Sequence, residues 1–100
     1  MSKTIWKFYL QVTDTQTISM PRDATILDVQ VQEGEMHDIP IKQITVWAIV
    51  NPDNPTESVT FHLCATGHPI NFVRAAQRYI GTVQIYGFVW HVFLGDENEG

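Results

Sequence analysis

The residues best suited to chemistry lie in the run Thr66-Gly67-His68-Pro69, with Arg74 and Arg78 following. A glycine turn opening a helix leaves backbone N–H groups unpaired, and the helix dipole draws an anion to them. Thr66 adds a hydroxyl and His68 an imidazole N–H. Arg74 and Arg78, four residues apart, share a helix face and add fixed positive charge. They stand one and two turns from the helix start, a spacing that suits two phosphates of one nucleotide better than one. The plainer alternative is that Gly67 lets the chain turn, Pro69 starts the helix and both arginines are solvated. The glycine patterns of a P-loop or a dinucleotide fold are absent, so no cofactor is expected.

Aromatic side chains form the second candidate set. Bases stack on aromatic faces, at roughly 1–3 kcal/mol per base. Trp6 and Trp90 fall on the apolar side of their alternating segments and read as core. Tyr9 and Trp47 fall on the opposite sides and read as positions for a ligand or a subunit interface. The four histidines, His37, His62, His68 and His91, show no metal-ligand spacing, and a single cysteine removes any Cys-rich zinc module. His62, His68 and His91 around one pocket would permit metal-free phosphodiester hydrolysis. Cys64 has no readable Cys–His arrangement, and the acids from Asp23 to Asp38 read as solvated surface.

Charge narrows the partners. The chain has 100 residues, with 6 Lys+Arg against 11 Asp+Glu. Three of those acids fall in residues 96–100, so the body is only mildly negative. Its few bases are scattered, which excludes broad nucleic-acid binding but leaves room for a local anion site. No apolar run approaches a bilayer span, and the N-terminal residues lack a signal-peptide pattern. These features point away from membranes and towards a cytoplasmic protein. Residues 1–95 read as one domain and 96–100 as an acidic disordered tail.

Strands must position these groups. Ile5 to Thr13, Gln16 to Met20, Ile26 to Gln32, Ser58 to Thr66 and the two segments around Tyr86-Gly87 alternate with a period of two. The first two segments are expected to form a hairpin through Asp14-Thr15. Leu27, Val29 and Val31 are expected to share the buried face of the third. Met36 to Gln43 has no firm period and reads as loop. Ile44 to Val50 is apolar on both faces, so it is either a central covered strand or a strand meeting another subunit. It is expected to pair with Ser58 to Thr66. One short helix is expected over 70–79. The fold class is mainly β: an antiparallel β-sandwich or barrel-like sheet of six to seven short strands.

Several landmarks together carry a resemblance: Ile5-Trp6-Lys7-Phe8, Asp14 to Pro21, Ile26 to Gln32, Trp47 to Pro52, Thr66-Gly67-His68-Pro69-Ile70, Tyr79 to Thr82, and Phe88 to Phe93. The chain resembles a family of small bacteriophage and prophage proteins catalogued as a domain of unknown function. The likeness runs from Ile5 to Phe93 and is looser at 35–43 and 71–77. It implies a phage origin and expression in a host bacterial cytoplasm, and it supplies no catalytic residues. By analogy with phage accessory proteins of this size, it implies antagonism of host antiviral defence. The expected function is then a non-enzymatic protein that sequesters a small, anionic, nucleotide-derived signal. The alternatives are an inhibitor of a host defence protein (anti-CRISPR-like or a nucleic-acid mimic), a small His-dependent phosphodiesterase, and a minor structural or assembly protein. The greasy strand at 44–50 suggests a homo-oligomer.

Overall fold

Period-two sequence produces strands almost throughout. The computed structural model describes residues 2–70 and 78–95. Its strands are β1 (Thr4–Leu10), β2 (Thr15–Pro21), β3 (Thr25–Met36), β4 (Ile39–Val50), β5 (Thr56–Ala65), β6 (Tyr79–Ile85) and β7 (Phe88–Leu94). They form two antiparallel sheets, one ordered β1-β4-β3 and the other β2-β5-β7-β6. The fold class is the expected one, a mainly β sandwich.

The core lies between the sheets. Leu10, Met20, Val29, Ile44, Val46, Phe61, Leu63, Val83, Ile85 and Val92 fill it. Of these, Phe61, Met20, Ile44, Val46 and Val92 are less than 2 % exposed. Each such side chain contributes roughly 1.5–3 kcal/mol by leaving water. On one side the sandwich closes. There β3 packs against β6, and a Cβ added at Gly81 would meet Val29 Cγ1 at 2.5 Å. On the other side β1 and β2 barely touch.

The pairing differs from the sequence reading in three places. β1 does not pair with β2. Each joins a different sheet, β1 against β4 and β2 against β5. The segment between them crosses the sandwich, and Gln16 clamps this corner: its Oε1 accepts from Gln11 N at 2.8 Å and its Nε2 donates to Gln11 O at 2.6 Å. β4 and β5 also lie in different sheets, so the turn-rich 51–55 stretch is a crossover rather than a hairpin. Residues 36–43 are not loop. β3 and β4 continue as a two-stranded arm, joined by a turn in which His37 (φ 53°) and Asp38 (φ 65°) are both left-handed. Pro40 fits inside it because Glu35–Pro40 is the second pair out from a two-residue turn, a non-hydrogen-bonded pair that needs no donor facing the partner strand.

Single residues differ as well. A bulge between Ile26 and Asp28 turns Leu27 outward, where it is 48 % exposed, while Ile26, Val29 and Val31 face the core. Trp6 is not core. It lies on the inward side of edge strand β1, at the open flank, with its ring 6.5 Å from Phe8. Trp90 does pack on the core, but its indole N–H is buried with no hydrogen-bond partner among the described residues. Most of the helix expected over 70–79 falls on 71–77, outside the described residues, as does the acidic tail. The expected end of that helix is corrected, since Tyr79 opens β6. The hairpin through Tyr86 and Gly87 (φ 53° and 82°) and the stop of β2 at Pro21 are as expected.

Candidate functional site

Strand register gathers the chemistry-bearing side chains on the outer face of the four-stranded sheet. Thr15, His62, Phe93 and Tyr79 form one cross-strand row over β2, β5, β7 and β6. Cys64, His91 and Thr82 form the next. Thr66 follows Ala65 off the end of β5, with its N–H on Val89 O at 3.1 Å.

The imidazole of His91 is held at both nitrogens. Thr66 Oγ1 lies 2.8 Å from Nε2 and Thr82 Oγ1 lies 3.0 Å from Nδ1. Tyr79 OH bonds Thr82 Oγ1 in turn. A neutral imidazole donates at one nitrogen and accepts at the other. If Nε2 carries the proton, Thr66 accepts and its own O–H points out to solvent. If Nδ1 carries it, Thr82 donates on to the Tyr79 oxygen, and the tyrosine O–H is the outward donor. A charged imidazolium donates at both nitrogens and leaves both ends donating outward. The chain Thr66–His91–Thr82–Tyr79 is therefore a donor array whose direction a ligand can set. Two of its hydroxyls, Thr66 and Thr82, and the Tyr79 ring are exposed.

Beside this array lies a cleft of about 250 Å³, lined by Asp14, Thr15, Cys64, His68 and Pro69. That volume is below the roughly 300–1,000 Å³ of ordinary small-ligand pockets. The turn that walls it depends on Gly67 (φ 91°) and is fastened by His68 N donating to Ala65 O at 3.0 Å. The turn also covers Cys64, whose sulfur lies 3.6 Å from both Ala65 O and His68 O. Cys64 therefore faces outward from the sheet and is nevertheless buried. Across the row, Thr15 Oγ1 holds His62 Nδ1 at 3.0 Å.

The expected site residues separate into groups. Thr66, Gly67 and His68 stand together in the turn after β5, and of the three His68 lines this cleft. Arg74 lies outside the described residues. Arg78 donates to Gly95 O at 3.1 Å and lines a different depression, with Met20, Glu57 and Leu94. Tyr9 and Trp47 lie on the outer face of the other sheet, turned away from Thr66, and Lys7 Nζ stands 5.7 Å from the Tyr9 ring centre. His62 and His91 share a face on adjacent strands, each bonded to threonine hydroxyls. Among the described residues no three His, Cys, Asp or Glu side chains are grouped to hold a metal ion. Sequence reasoning missed Thr82. The signal was there: once Tyr86-Gly87 is a two-residue turn, counting four places out from it on each side sets Thr82 against His91.

Comparison with known families places the whole chain, residues 1–100, within the domain of unknown function DUF7352. The chain belongs to the DUF7352 family. No curated protein and no solved structure matches it. The family carries no assigned activity, so a DUF7352 function must be argued from the side chains. No helix among the described residues is long and apolar enough to cross a membrane.

Proposed function

We propose that this DUF7352 chain is a non-enzymatic binding protein that captures a small hydrogen-bonding ligand on the outer face of its four-stranded sheet. The observation that supports the reading is the His91 array. Both ring nitrogens are engaged by hydroxyls, and both ends of the chain open to solvent beside the Gly67 turn. Among the described residues this imidazole is held by hydroxyls and not by a carboxylate that would orient it for proton transfer, an arrangement that suits recognition better than turnover. Within the resemblance to phage proteins, the ligand class is a nucleotide-derived signal of host antiviral defence, and the protein acts by sequestering it in the host cytoplasm.

Calorimetric titration of the protein with a panel of cyclic dinucleotides and cyclic ADP-ribose isomers tests this. One class should bind, and heat-denatured complex should release it intact. Thr66→Val and His91→Phe should each weaken binding about tenfold, the loss of one or two ligand-facing hydrogen bonds. Tyr9→Ala, on the far face, should not. A chemically altered product would replace this reading with that of a hydrolase. A second reading, an inhibitor that docks on a host protein, is favoured by one observation. Met36 and Ile39 stand 57 % and 63 % exposed at the tip of the β3–β4 arm, an apolar end on a projecting element.

A further inference from the structure

The three-stranded sheet carries a surface that the ligand site leaves unused. Residues on one side of β4 alternate outward as Ile39, Ile41, Gln43, Thr45, Trp47 and Ile49. Register sets Ile5, Lys7 and Tyr9 beside them on β1, and Met36 opposite Ile39 at the tip. The apolar side of the arm is thus continuous with the outer face of the sheet. The arm's other side carries Glu33, Glu35, Pro40 and Lys42, with Lys42 3.7 Å from Glu33. Exposure is high at the margins and the tip (Ile39 63 %, Ile5 56 %, Leu27 48 %, Tyr9 44 %), whereas Trp47 and Ile49 are half-buried and Thr45 is covered. A shallow depression beside Trp47 is walled by Ile5, Leu27 and Asp28. Two apolar patches, Met36, Ile39 and Ile41 on the arm and Ile5, Trp47 and Ile49 on the sheet, lie on this face with Gln43 and Thr45 between them, and exposed apolar patches rimmed by polar groups are what an interaction surface presents.

The charges on this face identify the occupant. Lys7, Trp47 and Asp28 form one cross-strand row, with the cation on one edge strand, the indole at the centre and the carboxylate on the other edge. Among the described residues, Asp28 accepts from Val29 N and Gln30 Nε2, both at 2.8 Å. Lys7 rests over Tyr9. We infer that the outer face of β1-β4-β3 and its arm form a homodimer interface about a two-fold axis running along β4. Such an axis sets Lys7 over the partner's Asp28, Asp28 over the partner's Lys7, and Trp47 against its own copy. A two-fold axis across the strands would instead oppose Lys7 to Lys7. The face is self-complementary in one orientation only, as an isologous contact requires.

Twelve residues of β4 at about 3.3 Å each give a stripe roughly 40 Å long, and two to three strands about 4.8 Å apart make it roughly 10–14 Å wide. That footprint, on the order of 500 Å², is below the roughly 800 Å² per partner of a standard complex and places the dimer in the concentration-dependent class.

Sedimentation velocity of the full chain over a concentration series tests the inference. The wild-type chain should pass from monomer to dimer, and Trp47→Arg and Ile39→Lys should each hold it as monomer. Lys7→Asp and Asp28→Lys should each weaken the dimer about tenfold or more, because every reversal is felt twice across the axis. The two together should return the affinity to near wild type. Circular dichroism confirms that each variant is folded, and Ile39→Lys, on an exposed arm tip, serves if Trp47→Arg is not. A wild-type monomer at every concentration overturns the inference. A dimer that survives both Trp47→Arg and Ile39→Lys overturns the choice of face. A double reversal no stronger than the single ones overturns the axis.

Discussion

At Gly81 one sheet approaches the other so closely that there is no room for a side chain. A Cβ there would stand 2.5 Å from Val29 Cγ1, whose own side chain is held in the core. Gly81→Ala should therefore destabilise the protein by about 1–3 kcal/mol, the range for overpacking a filled core. The melting temperature should fall by several degrees for a chain of this size. Val29→Ala in the same chain should recover part of the loss, and the thermal midpoint of the double variant measures that coupling. The His91 array makes a smaller contribution. Thr82→Val strips the Nδ1 partner from a half-exposed imidazole that water can still reach, so the cost should stay at or under about 1 kcal/mol in denaturant unfolding. By contrast, Phe61→Ala empties a fully buried site and should cost about 3–5 kcal/mol in denaturant unfolding, a large share of a small domain's total stability.

At the scale of elements, the β3–β4 arm stands apart from the core. Residues 32–40 are exposed on both strands, and the arm is held by its own ladder. Its amides should exchange with solvent faster than those of Val46 or Leu63, since local opening there exposes little apolar surface. Its turn also has unfavourable chemistry. A two-residue turn with both residues left-handed favours Asn-Gly, and here His37 and Asp38 occupy those positions. Replacing them with Asn-Gly should slow exchange at Gln32 and Gly34, whose N–H groups face β4, while leaving core protection unchanged, a contrast that NMR hydrogen exchange reads residue by residue.

The same turn explains why the arm was not legible in the sequence. His37-Asp38 carries no hairpin signature, and Pro40 reads as a breaker until the non-donating register around the turn is known. The Leu27 bulge was hidden because one inserted residue shifts the phase of an otherwise clean alternation. Strand existence, the Tyr86-Gly87 hairpin and the Gly67 turn were legible because each rests on neighbours in the chain. Strand partners were not: adjacency favoured β1 with β2, whereas burial of both apolar faces required them in opposite sheets. For the same reason Tyr9 and Trp47 could be read as outward-facing, but not as belonging to the face opposite Thr66.

At the scale of the molecule, both sheets draw on one core, since Ile44 and Val46 of one pack with Phe61, Leu63 and Val92 of the other. The two should unfold together. Far-ultraviolet dichroism and tryptophan fluorescence, reporting on Trp6 and Trp47 in one sheet and Trp90 in the other, should give coincident denaturation curves. Separate midpoints would mean that the sheets are independent units. Refolding should be slow for 100 residues, in the millisecond-to-second range typical of sandwiches dominated by distant pairings.

The crossing of β1 away from β2 bears on how the chain is made. Thr4 finds its ladder mate only at Val50 and Leu10 only at Ile44. During synthesis the first strand therefore leaves the ribosome long before its mate exists. For several seconds at ordinary elongation rates, Ile5, Trp6, Phe8 and Leu10 must wait in solution unpaired. Slowing translation before codon 50 should lengthen that wait and raise the share of new chains that are lost to chaperones or aggregates.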